Sequence, residues 1–194
     1  MARPSPPVVV ADWKPNPSDG EAYAAVVRIA RKLVSTDSRV IGLAPADDRV
    51  AVPPVAVRLA FGLTALGVAP VSVIDANTRF PAFAELVPPH AHNEGNYFRV
   101  VIDKNLWLLT PALEVRQGQE IPSLKAVLDT CLLEASMLLV DLTGYRQLGE
   151  HLKAYDLMDG ILMLAASGRT REGAIKRSSD EVPQARQLGV LLVG

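Results

Sequence analysis

The chain has 194 residues, a length that fits one domain with a substantial buried core. Its 20 Lys and Arg residues nearly balance its 21 Asp and Glu residues. The chain therefore lacks the excess positive charge that is typical of proteins that bind nucleic acid or an anionic membrane surface. A single cysteine, Cys131, excludes an internal disulfide framework and any zinc site built from several cysteines. We expect a cytoplasmic protein with a Pro-rich lead segment over residues 1–17 and one domain over residues 18–194.

The first predicted elements are a helix and a strand. The capping box Ser18-Asp19-Gly20-Glu21 precedes apolar residues at helical spacing, which predicts an amphipathic helix ending near Ser35. A short apolar strand follows at Val40–Ala44 and leads into a polar, turn-prone loop at Pro45–Arg49. Glu21 in this box is predicted to reach back to the cap amide at Ser18.

The next stretch, Ala51–Ile74, is apolar and long enough to span a bilayer. Three prolines and Gly67 interrupt it, which favours a buried helix at Pro54–Leu66 and a buried strand at Val71–Ile74. We therefore expect no transmembrane segment. Strand, loop, helix and strand in this order predict a parallel crossover unit.

The rest of the chain continues an alternating pattern. The predicted elements are a short helix at Ala82–Leu86, strands at Tyr97–Ile102 and Leu106–Thr110, a helix at Ser123–Ala135, a strand at Met137–Val140, a helix near Leu148–Tyr155, a strand at Gly160–Ala166, a helix within Thr170–Leu188 and a strand at Val190–Val193. Apolar strands separated by helices predict an α/β fold of three layers, with a mostly parallel sheet covered by helices on both faces.

Two acidic residues end buried strands, at the edge of a parallel sheet where functional crevices form. Asp75 closes one strand and begins Asp75-Ala76-Asn77-Thr78-Arg79, and Asp141 closes another. Each could belong to a metal and water site or could cap a turn. We favour the structural use for both.

The order of these features resembles the deviant P-loop ATPases of the partitioning and septum-site type, and most closely the cytoplasmic domain of bacterial tyrosine kinases of polysaccharide export. The resemblance rests on Glu21-Ala22-Tyr23, Arg39–Ala44, Arg58-Leu59-Ala60 with Leu66-Gly67, Ile74–Pro81, Val140-Asp141, and Asp159-Gly160-Ile161 through Arg171. It implies a P-loop NTPase-like fold in which the second Walker-type motif includes Asp75 and Asn77, and Asp141 ends the Walker B strand.

The phosphate loop departs from the family pattern. Alignment from Arg58-Leu59-Ala60 places the family's glycine, lysine, serine and threonine on Ala51, Val52, Pro53 and Pro54. A P-loop binds phosphate through glycine-permitted backbone amides, a lysine charge and a hydroxyl that holds magnesium, and none of these is present. The residues of this degenerate phosphate loop are Pro45, Asp47, Asp48, Arg49, Ala51, Val52, Pro53 and Pro54. We expect no cofactor, no bound metal and no catalytic residue.

The prediction that follows is a catalytically inactive pseudo-ATPase or pseudokinase that serves as a protein-interaction or scaffold module. The resemblance implies work in polysaccharide export, positioning or cell-surface assembly, with a homo- or hetero-oligomer, an active paralogue or a membrane-associated complex as partner. The expected interaction surfaces are Pro45–Pro54, Phe80–Asn96 and the first helix. Ala24 and Val27 stand where the related kinases carry arginines for ring assembly, so these positions lack the side chains of the kinase-style ring.

The alternative function is a nucleotide-binding sensor or an ATPase with an unconventional phosphate site. Its residues would be the relic positions Asp75, Asn77, Arg79, Asp141 and Arg169.

Two other features have simpler explanations than a site. His90, His92 and Glu94 offer zinc ligand types, but histidines in a Pro-rich loop are more often exposed to solvent. Cys131 lies in an apolar helix, where burial as a small hydrophobic residue is the favoured role.

Overall fold

An eight-stranded sheet organises the part of the chain that the structure describes. The computed structural model describes residues 16, 18–88, 93–94, 96–112 and 118–194. The strands are β1 (Val40–Pro45), β2 (Val71–Asp75), β3 (Asn93–Glu94), β4 (Tyr97–Asp103), β5 (Leu106–Pro111), β6 (Met137–Asp141), β7 (Gly160–Ala166) and β8 (Gln187–Val193). Their spatial order is β3-β4-β5-β2-β6-β1-β7-β8. Among the described strands, only the pairs β3–β4 and β4–β5 are antiparallel, so the predicted mostly parallel sheet is confirmed.

Helices cover both faces of this sheet. They are α1 (Gly20–Val34), α2 (Val52–Ala65), α3 (Glu120–Cys131), α4 (His151–Asp156) and α5 (Glu172–Asp180), with 3₁₀ turns at Ala84–Leu86 and Gln184–Arg186. Alternate strand residues enter two separate cores because successive side chains point to opposite faces. Ile41 and Leu43 pack with α1 and α2, whereas Val40 and Ala44 pack with α3 and α4. The predicted three-layer architecture is therefore confirmed.

The crossover unit β1-α2-β2 is parallel, as predicted, and leaves space for another strand. β6 lies between β1 and β2 and pairs with both, so three strands end side by side at one edge of the sheet. α2 is almost wholly apolar because it packs between α1 and the sheet. Gly67, with a φ of +85°, follows its end in the left-handed conformation that glycine tolerates. Within the described ranges, no helix combines the length and apolar character needed to cross a membrane.

The predicted capping box is wrong. α1 begins at Gly20, its cap position is Asp19, and no side chain caps it. The amide of Ser18 instead donates to Asn16 Oδ1 at 3.0 Å, and the amide of Asp19 donates to the Asn16 carbonyl at 2.9 Å. Hydrogen bonds to Asn16 therefore take the place of the reciprocal bonds expected of Ser18 and Glu21.

Two later helices begin elsewhere than predicted. α3 starts at Glu120 rather than Ser123, because Pro122 falls in its first turn, where the missing N–H breaks no intrahelical bond. α4 starts at His151 rather than Leu148, because Gly149 takes a φ of +71° and interrupts the helical path. The last strand begins at Gln187, three residues before its predicted start.

Candidate functional site

The carboxyl ends of β1, β2 and β6 form the edge where the predicted relic residues lie. Asp75 and Asp141 are register partners on β2 and β6, so the two carboxyl-bearing residues are direct neighbours across the sheet. Both are almost fully buried. The sequence correctly placed these residues at strand ends, and the strand order brings them together.

Asp75 binds the chain that follows it. Its Oδ1 accepts a hydrogen bond from the amide of Asn77 at 3.0 Å, and its Oδ2 accepts one from the amide of Ala82. Burial raises the pKa of Asp75 to about 6, although the backbone amides of Asn77, Ala82 and Phe83 oppose that rise. The carboxyl group thus fixes the loop that leaves β2.

Asp141 is held less completely. Its Oδ1 accepts a hydrogen bond from the amide of Thr143 at 2.8 Å, while its Oδ2 has no hydrogen-bond partner among the described residues. Burial raises the pKa of Asp141 to about 7, with a further upward contribution from the charge of Asp75. Two adjacent buried carboxyl groups disfavour simultaneous ionisation, because burial penalises each charge and the two charges repel each other.

The other relic residues spread away from this pair. Asn77 Oδ1 accepts hydrogen bonds from the amides of Arg79 at 3.3 Å and Phe80 at 3.2 Å, which forms a local turn. Arg79 is exposed, and its guanidinium forms no ion pair within the described part of the chain. Arg169 lies after β7, and its carbonyl accepts a hydrogen bond from Arg49.

The loop between β1 and α2 is the segment predicted to have lost its phosphate site. α2 begins at Val52, which is fully buried, and Ala51 at its cap position offers no side-chain hydrogen bond. Pro53 and Pro54 occupy the next two positions and have no N–H. Two of the amides that a helix N-terminus normally presents to an anion are therefore missing here.

Side chains tie this loop to the segment after β7. Asp47 Oδ1 accepts hydrogen bonds from the amide of Arg49 at 3.0 Å and from the hydroxyl of Thr170 at 3.3 Å. Arg49 donates to the carbonyl of Arg169, and the hydroxyl of Ser178 donates to the carbonyl of Ala46 at 3.2 Å. We call these contacts the loop clasp; they hold the acidic loop in one position.

A cleft of about 460 Å³ opens at this edge of the sheet. One wall comes from the β1–α2 loop, the other from the segment after β6 and from α4, and Arg79 with Phe80 forms the lip. The lining side chains that carry charge or an aromatic ring are Asp47, Asp48, Arg79, Phe80, Arg146, His151 and Tyr155. Asp75, Asp141 and Arg169 do not line it, so the five residues of the alternative phosphate site are not gathered around one cavity.

The sequence did not single out Arg146 and His151. Arg146 forms an ion pair with Glu181, with Nη2 2.5 Å from Oε2, and His151 Nε2 lies 3.3 Å from the same oxygen. The hydrogen bond from Arg146 lowers the pKa of Glu181. Arg146 follows the end of β6 by five residues, so the strand end was the available signal. The contact with Glu181 spans 35 residues and has no such signal.

Metal ligation finds no support in the described ranges, where no three His, Cys, Asp or Glu side chains are close enough to hold an ion. His90 and His92 lie outside the described residues, as does the side chain of Glu94. Cys131 is fully buried, which confirms the favoured role for that residue.

Solved structures share this fold. The kinase domain of Escherichia coli tyrosine kinase ETK superposes with a TM-score of 0.72 at 16% identity, over 100% of this chain and 82% of that chain. The BceF tyrosine kinase domain gives a TM-score of 0.66 at 17% identity over 89% and 75% of the two chains, and the VpsO kinase domain gives 0.64 at 14% identity over 89% and 92%.

The sequence comparisons are silent: no protein-family model matches, and a search of curated proteins gives no match. The fold of this chain is therefore that of bacterial tyrosine kinase domains, as its sequence landmarks predicted.

Proposed function

We propose that this chain is a catalytically inactive counterpart of these kinase domains and acts by binding other proteins. The observation that carries the proposal is the composition of the β1–α2 loop. It supplies Asp47 and Asp48 where phosphate requires positive charge, and it begins α2 with buried Val52 and two prolines. Removal of one charge-stabilising contact commonly costs about 100- to 1,000-fold in rate, so the combined loss is expected to abolish phosphoryl transfer.

The partner is proposed to be a protein of the same assembly that such kinase domains serve. A homo-oligomer, a complex with an active paralogue, or a membrane-associated export complex each fits this role. The cleft and the clasped loop are the interaction surface that the fold offers, because parallel sheets place their functional crevices at the carboxyl edge.

Titration calorimetry with Mg-ATP, joined to a sensitive assay of phosphate release, tests the proposal. We expect neither binding in the micromolar range nor turnover. The matched variants are Asp141→Ala, which removes a relic carboxyl group, and Asp103→Ala, which removes an exposed one at the opposite edge of the sheet. Micromolar ATP binding, or turnover lost in Asp141→Ala and kept in Asp103→Ala, would contradict the proposal and establish the nucleotide-sensor alternative.

A variant that restores phosphate-loop residues between β1 and α2 tests the same proposal by a gain of activity. The triple variant Ala51→Gly, Val52→Lys, Pro53→Ser restores the family's residue types but leaves Pro54 and both aspartates in place. It is expected to show no ATP hydrolysis and a lower stability, because Val52 is fully buried and a lysine there has no partner. Turnover by this variant would show that the loop backbone is free to rearrange around phosphate.

A further inference from the structure

The cleft presents two aspartates that form no ion pair within the described residues, and hydrogen bonds hold one of them in place. Asp47 is held by the amide of Arg49 and the hydroxyl of Thr170, neither of which carries a charge. Asp48 is exposed and forms no ion pair within the described residues. Because the loop clasp fixes this wall, its negative charge is preorganised for a partner.

The opposite wall offers little free positive charge. The guanidinium of Arg146 is taken up by Glu181, with contacts of 2.5 and 3.0 Å. His151 directs Nε2 toward the same carboxylate at 3.3 Å, and its buried Nδ1 has no hydrogen-bond partner among the described residues. The wall opposite the acidic loop therefore adds no unpaired guanidinium that would compete for Asp47 and Asp48.

The lip of the cleft carries a positive charge, in contrast to the acidic wall. Arg79 is exposed and unpaired within the described part of the chain, and it stands beside Phe80, which is 78% exposed. The acidic wall of the cleft therefore favours positive charge, and the lip, with Arg79, favours a carboxylate. The volume of about 460 Å³ suits a short segment of chain.

We propose that the cleft receives a peptide segment of a protein partner, in which an arginine or lysine enters between Asp48 and His151 and a neighbouring carboxylate pairs with Arg79. Phe80, which is 78% exposed, offers aromatic surface to the stem of the basic side chain. This inference rests on the proposed binding function and names the chemistry of the partner. A nucleotide is disfavoured, because its phosphates would lie against Asp47 and Asp48.

The test is an NMR titration of the ¹⁵N-labelled full chain with the peptide acetyl-Gly-Arg-Glu-Gly amide. Two control peptides replace Arg with neutral citrulline or Glu with Gln. We expect the parent peptide to shift amide signals of the β1–α2 loop and of Leu142–His151, with the citrulline peptide binding about three- to tenfold more weakly. Mg-ATP is titrated separately on the same sample.

Three variants localise the effect. Asp48→Asn is expected to remove the preference for arginine over citrulline, and Arg79→Gln to remove the preference for Glu over Gln. Asp103→Asn, at the opposite edge of the sheet, is expected to change neither. Unshifted cleft signals, or equal binding of all three peptides, would overturn the inference. If Mg-ATP also causes no shifts, the proposed function still stands. Shifts of these signals by Mg-ATP at micromolar concentration would overturn both.

Discussion

Asp141 and Asp75 place two carboxyl groups side by side in a buried environment, and this makes folding sensitive to pH. The pKa of Asp141 rises from 3.8 to about 7 on folding. Between these values the folded protein retains a proton that the unfolded chain releases, so stability falls as pH rises. The contribution is complete below about pH 4 and is lost by about pH 7. Asp75, with a pKa of about 6, acts in the same direction.

The variant Asp141→Asn is expected to flatten this pH dependence. Asparagine keeps the oxygen that accepts the Thr143 amide and removes the charge that burial opposes. We expect the free energy of unfolding at pH 8 to rise by about 1–3 kcal/mol, with little change at pH 4. Urea unfolding monitored by circular dichroism at several pH values measures both quantities.

Asp103→Asn is the control for that experiment, since Asp103 is exposed in the β4–β5 turn. Its unfolding curves are expected to follow those of the parent protein at each pH. A loss of stability in Asp141→Asn at pH 8 would contradict the argument and indicate that the ionised carboxylate has a partner the fold requires.

Residues of this site differ in how far the sequence predicts them. Asp75, Asn77, Arg79 and Asp141 follow apolar runs, so their position at the strand ends could be predicted from hydropathy alone. The role of Arg146 could not be predicted, because only tertiary packing brings its partner Glu181, at the carboxyl end of α5, next to it. The loop clasp was missed for the same reason: contacts between distant polar residues leave no periodic pattern.

The loop clasp joins the β1–α2 loop to the segment after β7, and the hydroxyl of Thr170 bonds to that loop and to the end of β7. The hydroxyl of Thr170 accepts a hydrogen bond from the amide of Ala166 at 2.9 Å and donates one to Asp47 at 3.3 Å. Both bonds are lost in Thr170→Val, which keeps the shape of the side chain. We expect about 1–2 kcal/mol lower stability and faster hydrogen exchange over the β1–α2 loop.

Thr130→Val is the matched control, because among the described residues the hydroxyl of Thr130 bonds only to the Ala126 carbonyl one turn earlier in α3. Its stability is expected to change by less than about 0.5 kcal/mol, with loop exchange unaltered. Equal effects of the two substitutions, measured by hydrogen exchange and denaturation, would show that the clasp does not hold the loop.

Elements were predictable where apolar periodicity was continuous and less so where single residues decide a boundary. β7 has the predicted bounds Gly160–Ala166, since every residue of it is buried. α4 was predicted too long because the effect of Gly149 depends on its φ, which the sequence does not display. The insertion of β6 between β1 and β2 could not be predicted from order along the chain.

The assembled sheet ends in β8, an edge strand of unusual composition. Residues Gln187–Val193 carry no charge, although edge strands commonly use charge to prevent pairing with another chain. Val190 and Leu192 are 44% and 62% exposed. Within the described part of the molecule no further strand covers this edge. We therefore expect concentration-dependent self-association through it.

Leu192→Lys tests that expectation, because a charge on the exposed face opposes edge pairing and costs the monomer little. Sedimentation or light scattering over a concentration series is expected to show less association than in the parent chain. Leu133→Lys is the control, since Leu133 is 86% exposed but follows α3 rather than lying on the sheet edge. Equal loss of association in both variants would point to general hydrophobic contact instead.

Pro53 and Pro54 in the first turn of α2 also limit which substitutions this sequence could accumulate during evolution. A lysine gained alone would fall on the fully buried position of Val52, and a serine gained alone would find no neighbouring amides to complete a phosphate cradle. Each single substitution toward a phosphate loop is therefore destabilising or without effect on phosphate binding until the others are present. Under the proposed function, mutation remains free to change the surrounding surface, whereas phosphoryl transfer would require several substitutions in this turn at once.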